Sequence, residues 1–99
     1  MIIVAGTLQI EKADAKLSKP HILEVMRKTA KEKGCIVYRF SKDLQTDGLF
    51  QIYEEWETEA DLDAHSKSSH IAAFLDALSK INIISRDLKK FEAANIRPL

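Results

Sequence analysis

The segment CIVYRFSK (35–42), the connection DLQTDG (43–48) and the segment LFQIYEEW (49–56) decide the architecture. Ile36, Tyr38 and Phe40 alternate with Cys35, Val37 and Arg39, and Phe50, Ile52, Glu54 and Trp56 alternate with Leu49, Gln51, Tyr53 and Glu55. A period of two is the signature of a strand, and Asp47-Gly48 between the runs is turn chemistry, so an antiparallel hairpin is predicted. Ile36, Tyr38, Phe40, Phe50, Ile52 and Trp56 form an apolar set expected against a core. The opposite set is mixed and is expected to meet solvent or a second subunit. Glu54 then stands on the apolar face between Ile52 and Trp56, with Tyr38 opposite it. A carboxylate there is costly unless it is paired or hydrogen-bonded. It reads either as a buried acid or base in a pocket or as a structural carboxylate tying down a loop or helix N-terminus.

Outward from the hairpin, residues 2–10 (IIVAGTLQI) are apolar and β-branched and read as a buried strand, with Gly6 marking a bulge or a close backbone approach. Residues 18–33 carry Ile22, Val25, Met26, Thr29 and Ala30 at helical spacing. Ser18 is the expected N-cap, Pro20 falls in the first turn, and Gly34 is the stop signal. A short helix is predicted over 59–66 with Thr58 as N-cap, and another over 70–80 with Ser69 as N-cap and Ile71, Phe74, Leu75 and Leu78 as its stripe. Residues 83–92 are ambiguous, and the spacing of Ile84, Leu88 and Phe91 leans toward helix. The order is β-α-β-β-α followed by an open element. A final strand would complete the split βαβ, ferredoxin-like pattern, with helices on one sheet face and the other face free to dimerise.

Composition narrows the function. Ninety-nine residues make one domain, expected over 1–99, with enough chain to bury roughly two-thirds of its unfolded surface. Fifteen basic residues balance fifteen acidic ones, which argues against a dedicated nucleic-acid binder. No apolar run is long enough to span a bilayer, and MIIVAG has neither the basic region nor the cleavage signal of a secretory leader. The single Cys35 excludes an intrachain disulfide, disfavours a thiolate zinc cluster and reads as inert; a reducing cytoplasm is the expected location.

Few residues carry chemistry. His65 lies three residues after Leu62 on a helix face turned toward the sheet, where it could meet Glu54 and Trp56; imidazole is the natural proton carrier near neutral pH. Trp56 is either a stacking wall or plain core. His70 reads as a first-turn or connecting residue and His21 as surface, and the three histidines have no recognised metal spacing, so no metal is assigned. The stretches Arg27-Lys28 to Lys31-Glu32-Lys33 and Lys89-Lys90 read as solvated faces.

The run Tyr53-Glu54-Glu55-Trp56-Glu57, then Leu62-Asp63-Ala64-His65, then His70 before an apolar helix, resembles the antibiotic biosynthesis monooxygenase family, as does Gly34-Cys35-Ile36-Val37-Tyr38 ahead of them. The most specific piece is Glu54 and Trp56 with His65 nine positions after the tryptophan and His70 five further on; Ser69 stands where the family usually has proline. The resemblance implies a ferredoxin-like fold that dimerises through its sheets into an α+β barrel, makes 83–92 a strand, and places a pocket between helices and sheet. Its quinol-monooxygenase-like branch implies a cofactor-independent oxidation of a quinol or polyphenolic aromatic by dioxygen. His65 would then be the base, Glu54 would orient or tune it, and Tyr38, Trp56, Phe74 and His70 would bind substrate. A haem-degrading branch relies on an Asn, a Trp and a His whose positions fall at Gly6, His65 and Leu75, and none matches. A third branch, isomerases of a phosphorylated signalling sugar, would want a cation at the pocket mouth. Arg39 falls on the mixed face and Arg86 in the ambiguous segment, so neither is a clear anchor. A non-catalytic ligand-binding dimer is the remaining alternative.

Overall fold

A computed structural model describes the whole chain, Met1–Leu99. Strand β1 (Ile2–Ile10) leads through a 3-10 turn at Lys12–Asp14 into helix α1 (Ala15–Thr29). The hairpin β2 (Cys35–Lys42) and β3 (Leu49–Trp56) follows, then helices α2 (Glu59–Ser66) and α3 (Ser69–Leu78) and strand β4 (Ile83–Glu92). The four strands form one antiparallel sheet in the order β2-β3-β1-β4, the ferredoxin-like α+β arrangement.

The hairpin register places Tyr38 opposite Glu54 and Phe40 opposite Ile52, as alternation predicts. The loop is held by Asp43, whose Oδ2 accepts the backbone N–H groups of Gln45 and Thr46, each at 3.0 Å. One member of the apolar set is corrected. The register shifts between Cys35 and Val37, so Ile36 is the extra residue of a β-bulge and is 47% exposed. Cys35 takes its place beside Trp56. Alternation cannot foresee a bulge, because one inserted residue reverses every face assignment before it.

The end of the chain corrects the lean toward helix. Residues 83–92 are a strand, the outcome the family resemblance implies. It is an edge strand bonded only to β1, and of its residues only Leu88 is even partly buried. With so little of it in the core, nothing forces an apolar period of two.

Helix α1 begins at Ala15, earlier than expected, so Ser18 is no cap. Its buried hydroxyl instead donates to the Ala15 carbonyl at 2.7 Å, and Pro20 sits inside the helix. The helix also stops earlier, at Thr29; Gly34, at φ +80°, makes the later turn into β2 and accepts the Glu57 N–H at 2.9 Å. Helix α2 runs as predicted, its cap Thr58 accepting the Asp61 N–H at 3.1 Å. In α3 the cap is Ser68 and not Ser69, because Ser68 Oγ is the atom that accepts the Ile71 N–H.

The main core forms where α1 and α3 lie on the sheet and includes Leu8, Ile22, Val25, Phe50, Phe74 and Leu78. A second cluster joins Ile2, Val4 and the fully buried Trp56. Gly6, in the middle of β1, allows the close approach its presence suggests: a Cβ there would lie 1.8 Å from the Asp87 carbonyl oxygen of β4.

Candidate functional site

A cavity of about 360 Å³ opens between the sheet and helices α2 and α3. Its walls are mostly apolar, with Leu8, Phe40, Ile52, Phe74 and Leu78 among them, and its polar groups are few: Tyr38, Glu54, His65, Ser66 and the cations of β4. That mixture is the usual character of a small-molecule pocket. Four of the expected residues, Tyr38, Glu54, His65 and Phe74, therefore meet on one cavity. Trp56 and His70 are absent from its lining. Trp56 is fully buried behind it, and His70 lines a separate crevice of about 60 Å³ with His21 and Lys28.

Glu54 and His65 are each held by a hydrogen bond. Glu54 is brought inward by β3 alternation and is 6% exposed. Its Oε1 accepts the Trp56 indole N–H at 2.9 Å. Burial holds the Glu54 carboxyl above the ordinary carboxylate range, while the Trp56 hydrogen bond and the nearby His65 pull the other way. Tyr38 is pushed far above the usual phenol value, first by burial and then by Glu54 and Glu32, so it is a neutral hydroxyl at any working pH. Cys35, half-buried against Trp56, is pushed up to about 11 by burial and the same two carboxylates, which keeps it an unreactive thiol.

His65 sits near the C-terminal end of α2 and is 5% exposed. Its ring lies 4.7 Å from Trp56 and 5.1 Å from Tyr38, centroid to centroid. The expected link from Glu54 to His65 is not a hydrogen bond. The imidazole is held instead by Glu32, in the turn between α1 and β2. Glu32 Oε2 lies 2.6 Å from His65 Nδ1 and 2.7 Å from His70 Nε2. Sequence reading missed Glu32 because Lys31 and Lys33 flank it and make the stretch look solvated.

Glu32, His65 and His70 are also the cluster whose donor atoms could hold a metal ion, all within 4.8 Å of one another. Their spacing is that of hydrogen bonds. Ligands about 2.0–2.1 Å from a tetrahedral zinc stand about 3.3 Å apart, wider than either contact to Glu32.

The β4 wall corrects a further expectation. Register places Arg86, Leu88 and Lys90 opposite Leu8, Gly6 and Val4, on the helix-covered face. Arg86 and Lys89 line the cavity with no ion-pair partner, whereas Lys90 is tied to Glu59. A strand brings Arg86 inward where the helical lean of the spacing left it unplaced.

Comparison with curated proteins finds no match. Among solved structures, a candidate antibiotic biosynthesis monooxygenase from Deinococcus radiodurans is 26% identical, with a TM-score of 0.92, over all of this chain and 98% of its own. A conserved protein from Methanosarcina mazei Go1 is 24% identical at a TM-score of 0.86, over 94% of this chain and 92% of its own. A candidate antibiotic biosynthesis monooxygenase from Caulobacter crescentus CB15 is 22% identical at 0.87, over 95% and 90%. The last two are likenesses of fold. Residues 1–77 match the antibiotic biosynthesis monooxygenase family as a whole, and the chain belongs to that family.

Proposed function

We propose that the protein is a cofactor-independent monooxygenase that oxidises a quinol or polyphenolic aromatic with dioxygen. The observation that carries the reading is His65 held rigidly on the wall of an otherwise apolar cavity, beside Tyr38 and Glu54. His65 takes a proton from the phenol, leaving an electron-rich anion that transfers an electron to dioxygen directly. The apolar walls, Phe74 among them, hold the ring and exclude water. Tyr38 offers a neutral hydrogen bond to the substrate. The indole of Trp56 acts through Glu54, and His70 acts through Glu32. In this reading the 1–99 chain is a single domain that pairs through its uncovered sheet face, where Tyr53 and Phe91 are exposed, into a homodimeric α+β barrel. Its location in the same reading is a reducing cytoplasm, to which the single Cys35 lends support.

Oxygen consumption by metal-stripped protein against reduced quinols and anthrone-like phenols tests this. Uptake above autoxidation is expected, with loss of about 10²-fold or more in His65→Ala. Uptake unchanged in that variant refutes the assignment of His65, and no uptake across the panel refutes the oxygenase reading.

One observation favours a second reading. The unpaired guanidinium of Arg86 on the cavity wall suits an anionic ligand, and Glu54 with His65 could shuttle protons in an isomerase of a phosphorylated sugar. Binding of a sugar phosphate that is lost in Arg86→Ala, without oxygen uptake, would favour it.

A further inference from the structure

The reading of His65 as a base leaves open which of its nitrogens does the work and what keeps it so. A carboxylate only accepts hydrogen bonds. At 2.6 Å from Glu32 Oε2, His65 Nδ1 must therefore carry a proton, so that in the neutral ring Nε2 is the nitrogen with the free lone pair. Glu32 is not a floppy surface acid. Its side chain is 16% exposed, its N–H donates to the Thr29 carbonyl at 3.0 Å, and its carbonyl accepts the Cys35 N–H at 3.2 Å. His70 gives the same carboxylate oxygen a second N–H from the first turn of α3. The two histidines are themselves tied, because Ser68 Oγ donates to the His65 carbonyl at 2.7 Å just ahead of α3.

We propose that Glu32, clamped by His70, is the positioning residue of the site: it holds the proton of His65 on Nδ1 and so presents an unprotonated Nε2 to the cavity. The proposal rests on the preceding reading for its catalytic consequence but not for its geometry. Glu32 never meets substrate; it acts by removing the alternative tautomer and by fixing the ring plane. His70 is then the second anchor of that carboxylate, which gives the histidine five residues after His65 a role without a place in the cavity.

The direct test is nitrogen NMR of histidine-labelled full-length protein at pH 8. Wild type is expected to show His65 with Nδ1 protonated and Nε2 free. Glu32→Ala should release the ring to a mixture of tautomers. Glu32→Gln keeps the shape of the turn, and its amide oxygen can stand where Oε2 stands and accept from both imidazoles, so it should preserve the tautomer. Glu32→Met fills similar space with no oxygen acceptor; it should release the ring as alanine does, which keeps the test open if the alanine variant folds poorly. A wild-type His65 protonated on Nε2 alone, or His65 still locked on Nδ1 in both Glu32→Ala and Glu32→Met, overturns the proposal.

The catalytic arm is a double-mutant comparison on oxygen uptake. Glu32→Ala should lower kcat about 10²-fold with KM within about twofold, since a positioned base contributes at least that much. Added to His65→Ala it should cost nothing more, because residues acting as one unit are not additive. A full additional loss in the double variant, or no loss in Glu32→Ala alone, overturns Glu32 as a positioning residue. A locked wild-type tautomer in a protein that oxidises no quinol supports the lock and refutes only the oxygenase reading.

Discussion

Replacing Trp56 by Phe separates the electrostatic part of the buried pair from its packing. The indole N–H is the hydrogen-bond donor to Glu54 Oε1, at 2.9 Å, and both residues are buried. Phenylalanine keeps most of the ring but no donor. A hydrogen bond to a charged group is worth about 1.5–3 kcal/mol, and that loss falls on the ionised carboxylate. It raises the Glu54 carboxyl further above the ordinary carboxylate range. The sign follows from linkage. Burial already raises Glu54 above its unfolded value, so its contribution to stability is fully present below the unfolded pKa and declines as pH rises through the folded one. The variant deepens that decline. Urea unfolding of wild type and Trp56→Phe between pH 4 and 8 should show a packing loss common to all pH values, plus about 1.5–3 kcal/mol that appears only toward pH 8. Adding Glu54→Gln, which cannot ionise, should abolish the pH-dependent part. A loss of equal size at pH 4 and pH 8 would refute the reasoning, since the indole would then be acting as filler alone.

Gly6→Ala should be among the most damaging single changes, costing about 3 kcal/mol or more in urea unfolding, because its new Cβ would stand 1.8 Å from a carbonyl of the paired strand. Thr29→Val should raise stability by about 1 kcal/mol, read as a higher Tm, because Thr29 Oγ1 is buried without a hydrogen-bond partner. Thr58→Ala should cost about 1 kcal/mol in the same assay through loss of the α2 cap, and a drop in oxygen uptake beyond the stability loss would show that α2 also fixes His65.

What was legible in the sequence was local or periodic. The bounds of the hairpin, and its register from Val37 onward, could be read, since two alternating runs around Asp47-Gly48 leave little choice, and that register put Glu54 opposite Tyr38. The Thr58 cap and the inward turn of His65 followed from rules that span three or four residues. Ile36 was misplaced because a bulge is a property of the pair of strands, not of either run. Glu32 was illegible for a plainer reason: its two partners lie 33 and 38 residues away, and no local pattern distinguishes it from its neighbours Lys31 and Lys33. Arg86 was lost with its strand, whose edge position relaxes the alternation that would have declared it. The family resemblance supplied β4 where periodicity failed; it had Glu54 orient or tune His65, and the hydrogen bond to the ring comes from Glu32, which it did not single out.

The wall contributed by β4 has a consequence for how this chain could diverge. Glu32, Glu54 and His65 come from the turn before β2, from β3 and from α2, whereas Arg86, Leu88 and Lys89 come from the final strand. In the proposed reading, the side chains that handle the proton and the cations that face the cavity thus lie in separate stretches of chain that meet only after folding. Selectivity can drift through the final strand while Glu32, His65 and Glu54 stay as they are. A chimera carrying a relative's last strand should inherit that relative's preference among ligands without rebuilding the acid–base apparatus.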